Sequence, residues 1–185
     1  MEFRPPLLLL AVLVFHLRPA SSAVPINGED FIRKSCKAST YPDLCYSSLS
    51  PFGGQVQQDP GKLAGVAVSF CLSKVQVVKA YISSLSRKTT EPKLSASLKQ
   101  CLENFDDAVD NIQKSVNRLK NGKSSGVIGD VQTWMSAALT DEDTCVDGFK
   151  NVPNGPVKKD VINRTAEVEK FNSIALAMIN LYAHT

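Results

Sequence analysis

The chain has 185 residues, 43% hydrophobic and 21% charged, with a formal net charge of +3. That is length enough for one domain with a sizeable core, and a charge so near balance gives no ground for a nucleic-acid surface. Two histidines and five cysteines narrow the chemistry further.

"MEFRPPLLLLAVLVFHLRPASSA" comes first. Arg4 gives a positive start, Leu7 to Phe15 form a short apolar run, and Ser21 and Ala23 are small residues spaced for signal peptidase. Residues 1–23 therefore read as a secretory signal cut after Ala23, and the protein as secreted. A membrane anchor is the competing reading, but the run is too short to span a bilayer. No later run is expected to cross one either. The remaining domain, 24–185, carries 19 basic and 17 acidic residues.

His16 leaves with the signal, so the mature chain keeps only His184, next to the last residue. A Ser-His or Cys-His pair would rest on a position prone to fray. Zinc would depend on thiolates, and no C-x2-C pair exists. With no Gly-rich phosphate loop or isolated carboxylate dyad, neither an enzyme nor a metal or cofactor is expected.

The hairpin segment, 24–50, contains "EDFIRKSCKASTYPDLCYSSLS", with Pro42 where a second helix would start. "PFGGQVQQDPGK" reads as a loop. From Lys62 to Ser86, Leu63, Val66, Ala67, Phe70, Val77, Val78, Tyr81 and Leu85 recur at helical spacing. Thr90 is a candidate N-cap, and Pro92 opens a helix to about Lys120. "NGKSSGVIGD" separates that helix from one over Val127 to Lys150, and "NVPNGP" precedes the last, Lys158 to Ala183. No strand-type alternation appears. Four long amphipathic segments predict an all-α protein: an up-down-up-down four-helix bundle over 62–185 with an N-terminal α-hairpin.

In the helix opening at Pro92, Leu102, Phe105, Val109, Ile112, Val116 and Leu119 step by three and four onto one stripe. Glu103, Asp107 and Asp110 point away from it, with Asn111 on the flank. The following helix ends in "TDEDTCVDGF", where Asp141, Glu142, Asp143 and Asp147 surround Cys145.

Cys36 and Cys45 flank the hairpin turn, so a bridge between them would fix an element too small to hold itself together. Cys101 lies near the start of one long helix and Cys145 near the end of its antiparallel neighbour, which brings those two ends together. Cys71 is left over beside Phe70 and reads as a small buried hydrophobe. The Cys101–Cys145 bridge would join two acidic segments into one rigid surface.

"SCKASTYPDLCYSSLSPF", "CLENFDDAVDNI" and "WMSAALTDEDTCVDGF", in this order after a signal, resemble the plant invertase and pectin methylesterase inhibitor family. The resemblance covers essentially the whole mature chain, and "YPDLC" and "SAALTDEDTC" favour the pectin methylesterase branch. It implies the bundle with hairpin and the disulfides Cys36–Cys45 and Cys101–Cys145. It further implies an inhibitor of the apoplast and cell wall that forms a one-to-one complex with pectin methylesterase and covers its pectin-binding cleft. The contacts implied are Glu103, Asp107, Asp110 and Asn111 on one helix, with Thr144 and Asp147 around the fourth family cysteine.

Two departures stand beside this. Asn172 occupies about the place of the family's spare cysteine, and the spare thiol here is Cys71. "EKF", Glu169 to Phe171, faintly resembles a Pro-Lys-Phe element of invertase inhibitors but lacks the proline and falls within a helix, where Phe171 reads as core. Invertase is the alternative partner. A pro-region of a pectin methylesterase is disfavoured because the chain ends at Thr185. A structural or carrier bundle of the wall is a further alternative, though Trp134 reads as core rather than as a ligand platform. The sequon "NRT" marks Asn163 as a glycan acceptor.

Overall fold

A computed structural model describes residues 27–185; the signal over 1–23 lies outside the described residues. The elements are α1 (Gly28–Cys36), α2 (Pro42–Leu49), a 3-10 turn (Ser50–Phe52), α3 (Gly53–Val56), α4 (Pro60–Ser86), α5 (Pro92–Leu119), α6 (Ser125–Asp147) and α7 (Pro156–Ala183). No strand occurs among them. Helices α4 to α7 pack in a closed ring, each against two neighbours, which is the up-down-up-down bundle. The hairpin rests on it through α1 against α7 and α3 against α4.

Helices α4, α5 and α6 each start where the chain supplies a side-chain cap. Asp59 accepts from the amides of Gly61 and Lys62 ahead of α4, and Ser124 accepts from Val127 N at 3.2 Å ahead of α6. Before α5 the cap is Glu91, whose carboxylate takes the amides of Lys93 and Leu94, rather than the expected Thr90. Pro92 and Pro156 occupy first-turn positions, where a missing N–H costs nothing.

The stretch read as a loop, "PFGGQVQQDPGK", instead folds into the 3-10 turn and the short α3, and buries Val56. The reason is a close backbone approach. A Cβ on Gly28 would fall 1.9 Å from the carbonyl oxygen of Gly53, so only glycine lets α1 start against α3.

The core cluster runs the length of the bundle and includes both disulfides and Cys71. Cys71 is buried and unpaired, and burial raises its thiol well above the usual range, so it behaves as a small apolar side chain. In α5 the buried stripe is Leu98, Cys101, Phe105, Ala108, Ile112 and Ser115, with Leu102, Val109, Val116 and Leu119 half-buried on its flank. The apolar pattern thus located the right face but placed its centre a fraction of a turn off, because Cys101, Ala108 and Ser115 carry little hydrophobic signal. Val77, expected in the core, is 62% exposed. Trp134 is only half-buried and stands outside the core cluster. Phe171 is buried, with its ring edge-on to Phe70 at 5.3 Å.

One expectation about membranes needs correcting. By length and composition, α4 is long and apolar enough to cross a bilayer. In the bundle it packs against α5 and α7 and buries Leu63, Val66, Val68, Val75 and Ile82 there, as a core helix does.

Candidate functional site

The two disulfides are Cys36–Cys45 and Cys101–Cys145. The second holds the first third of α5 to the end of α6, with the two Cα atoms 4.2 Å apart. Around it α5 and α6 lie antiparallel, and each carries exposed carboxylates on its outer flank.

On α5, positions 103, 107 and 110 step by four and three, so their side chains project from one side of the helix. Glu103, Asp107 and Asp110 are all exposed. Asn111 is half-buried in the seam, and its Nδ2 donates to Asp141 Oδ2 of α6 at 3.2 Å. On α6, Thr144 and Asp147 are exposed one turn apart. Thr144 Oγ1 donates to Thr140 O at 2.7 Å, which fixes its rotamer and leaves the oxygen's lone pairs outward.

These carboxylates differ in how far their charge is already answered. Asp110 pairs with Lys114 at 2.6 Å, and Asp147 with Lys150 at 2.9 Å. Both pairs are exposed local pairs of the kind that contributes about 0.2–1 kcal/mol, so an incoming cation or amide can displace them. Asp106, one residue before Asp107, is taken up by Lys79 of α4. Among the described residues, Glu103 and Asp107 have no such lysine.

Asp141 and Glu142 stand apart from the exposed residues of "TDEDTCVDGF". Asp141 is partly buried in the α5/α6 seam. That burial and the neighbouring charge of Asp107 raise its carboxyl above the usual range, while the Asn111 hydrogen bond pulls it back. Glu142 is fully buried and points into the bundle interior, near Cys71 of α4 and Asn172 and Glu169 of α7. Sequence reading grouped it with the surrounding acidic residues. A signal was present: Ile128, Val131, Met135, Ala138, Glu142, Cys145 and Phe149 step by three and four, and all are buried.

Glu103, Asp107 and Asp110 thus project from α5 and Thr144 and Asp147 from α6, with the Asn111–Asp141 hydrogen bond crossing between the two helices. Asn163 is elsewhere, exposed on α7, while Thr165 of its sequon is fully buried and donates to Val161 O at 3.0 Å. No cluster of three or more histidine, cysteine or acidic side chains suited to a metal ion occurs among the described residues.

Residues 30–178 match the family model described as plant invertase/pectin methylesterase inhibitor. Pectinesterase inhibitor 11 of Arabidopsis thaliana is 36% identical over 191 residues, covering 95% of each chain. Pectinesterase inhibitor 10 of the same plant is 37% identical over 164 residues, 84% of this chain and 52% of that one, so this chain spans about half its length. Among solved structures, a mutant form of a pectin methylesterase inhibitor from Arabidopsis superposes with a TM-score of 0.65 at 20% identity. That match covers 79% of this chain and 93% of the other, a likeness of fold.

Proposed function

This chain belongs to the plant invertase/pectin methylesterase inhibitor family, and from that membership we propose that it is a secreted inhibitor of plant pectin methylesterase in the cell wall. It forms a one-to-one complex, lays the α5/α6 face over the enzyme's pectin-binding cleft, and so regulates pectin methylesterification without chemistry of its own. Glu103, Asp107, Asp110, Asn111, Thr144 and Asp147 make the contacts.

The observation that supports this reading is the acidic face held by the Cys101–Cys145 bridge. Side chains on two cross-linked helices lose little freedom on docking, so more of their interaction energy appears as affinity. Carboxylates at fixed spacing can accept from lysine, arginine or backbone N–H groups lining a cleft. Glu103 and Asp107, which have no paired cation among the described residues, gain most from such partners.

The invertase alternative draws nothing from "EKF". Those residues are in mid-α7, and Phe171 is buried against Phe70, so no element there is free to insert.

The test is a titration of the purified chain into a plant pectin methylesterase assay, with an invertase assay alongside. Ester hydrolysis is expected to vanish near an equimolar ratio while sucrose cleavage continues. Loss of invertase activity alone would transfer the protein to the other branch.

A further inference from the structure

Among the described residues, neither carboxyl oxygen of Glu142 has a hydrogen-bond partner, although the side chain is fully buried. Buried polar groups without partners are rare, and each asks for an explanation. The groups around it supply no counter-charge. From α4 the Cys71 thiol faces it; from α7, Asn172 and Glu169; on its own helix Asp141 and Asp143 flank it; and Asp107 of α5 stands behind Asp141. The ionisable side chains acting on it are therefore a thiol and other carboxyls.

Asn172 is itself fully buried, and its amide has one orientation that satisfies both ends. In that orientation the nitrogen donates to Met135 O and the oxygen accepts from Leu139 N, each at 3.2 Å. The nitrogen is thereby committed to the backbone of α6. A carboxylate at Glu142 would face an acceptor in a buried core, whereas a carboxylic acid can offer its proton to the oxygen's second lone pair.

We propose that Glu142 is a proton-held latch in the seam between α6, α4 and α7: it sits there as the neutral acid, and loss of its proton to solvent prises α6 outward and slackens the turn that carries Thr144 and Asp147. Burial does most to hold the proton, and the charges of Glu169, Asp141 and Asp143 add to it. Together they raise the carboxyl from its ordinary 4.5 to about 8.

The sign follows from where each state releases the proton. The unfolded chain lets it go near 4.5 and the folded chain near 8. The latch thus supports the fold fully below pH 4.5. Between the two values it loses up to about tenfold in the folding equilibrium per pH unit, and above 8 nothing further is lost. Asp141 and Glu169, also raised by burial, bend the curve the same way, so Glu142 has to be isolated by substitution.

The proposal concerns the chain alone and does not depend on which enzyme it inhibits. Denaturant unfolding of the chain and of Glu142→Gln is compared from pH 5 to 9, with hydrogen exchange followed over residues 140–147 and corrected for intrinsic rates. Between pH 5 and 8 the unfolding equilibrium constant of the parent is expected to rise at least tenfold more than that of the variant. Exchange over the α6 turn is expected to quicken in the parent only. Equal pH slopes overturn the latch, and unchanged exchange overturns its effect on the turn. Carbon-13 titration of the Glu142 carboxyl in the parent decides the matter even if the variant does not fold: a midpoint near 4.5 refutes the proposal, and one near 8 supports it.

Discussion

Glu142 and Asp143 are consecutive residues of α6 and meet opposite surroundings: Asp143 is exposed, and Glu142 is sealed between α4 and α7. The outer flank of the α5/α6 pair keeps its carboxylates in water, where local lysines answer some of them and release them cheaply. The inner seam gives its carboxyl neither cation nor donor among the described residues. One short acidic segment therefore divides into a part that can govern association and a part that can govern stability. Nothing but a 100° step per residue separates them.

Changes on the two sides should accordingly read out in different assays. The largest expected effect comes from the element both sides share. Replacing Cys101 and Cys145 together by alanine frees a 44-residue separation, worth about 4 kcal/mol by the chain-entropy relation, and should lower the urea midpoint and weaken inhibition together. A variant as stable as the parent would mean that packing alone holds the two helices in register.

Next is the inner seam. Glu142→Leu removes an unpartnered polar group in favour of an apolar one of similar volume, and should add about 1–3 kcal/mol at pH 8. The gain should shrink toward pH 5, where the parent's carboxyl is already neutral. Urea unfolding at the two pH values checks this, and a loss of stability at both would mean that the carboxyl has a partner after all.

The smallest effect on stability, and a large one on binding, belongs to the outer flank. Asp107→Lys with Asp110→Lys should shift stability by less than about 0.5 kcal/mol while raising the inhibition constant by more than an order of magnitude. Helicity measured by circular dichroism should stay level. Inhibition that survives unchanged would remove α5 from the docking face.

How far these two regions could be read from the residues differs too. The bundle, the hairpin and both disulfides followed from the spacing of apolar residues and from which helix ends meet. The exposed carboxylates of α5 followed from the same spacing. Glu142 did not, because its charge was weighed ahead of its position on a stripe with Met135, Ala138 and Cys145. The Asn111–Asp141 link was missed for another reason. It depends on the offset between two packed helices, which no single helix encodes. Small residues misled in both directions: Ala108 and Ser115 lie at the centre of the buried face of α5, while Val77 faces water. The helix-forming stretch after Phe52 was hidden because two adjacent glycines read as a turn, when one of them was needed for contact with Gly28.

The sequon on α7 carries a consequence for biosynthesis. Glycan transfer favours a pliant, surface-lying Asn-x-Thr, yet Thr165 is sealed against the disulfide, its hydroxyl 3.9 Å from Cys145 Sγ and bonded to Val161 O. Once α7 has docked, a transferase would find only the asparagine within reach. Sugar on Asn163 would then be a record of timing, showing that the enzyme reached the nascent segment before the last helix closed the bundle.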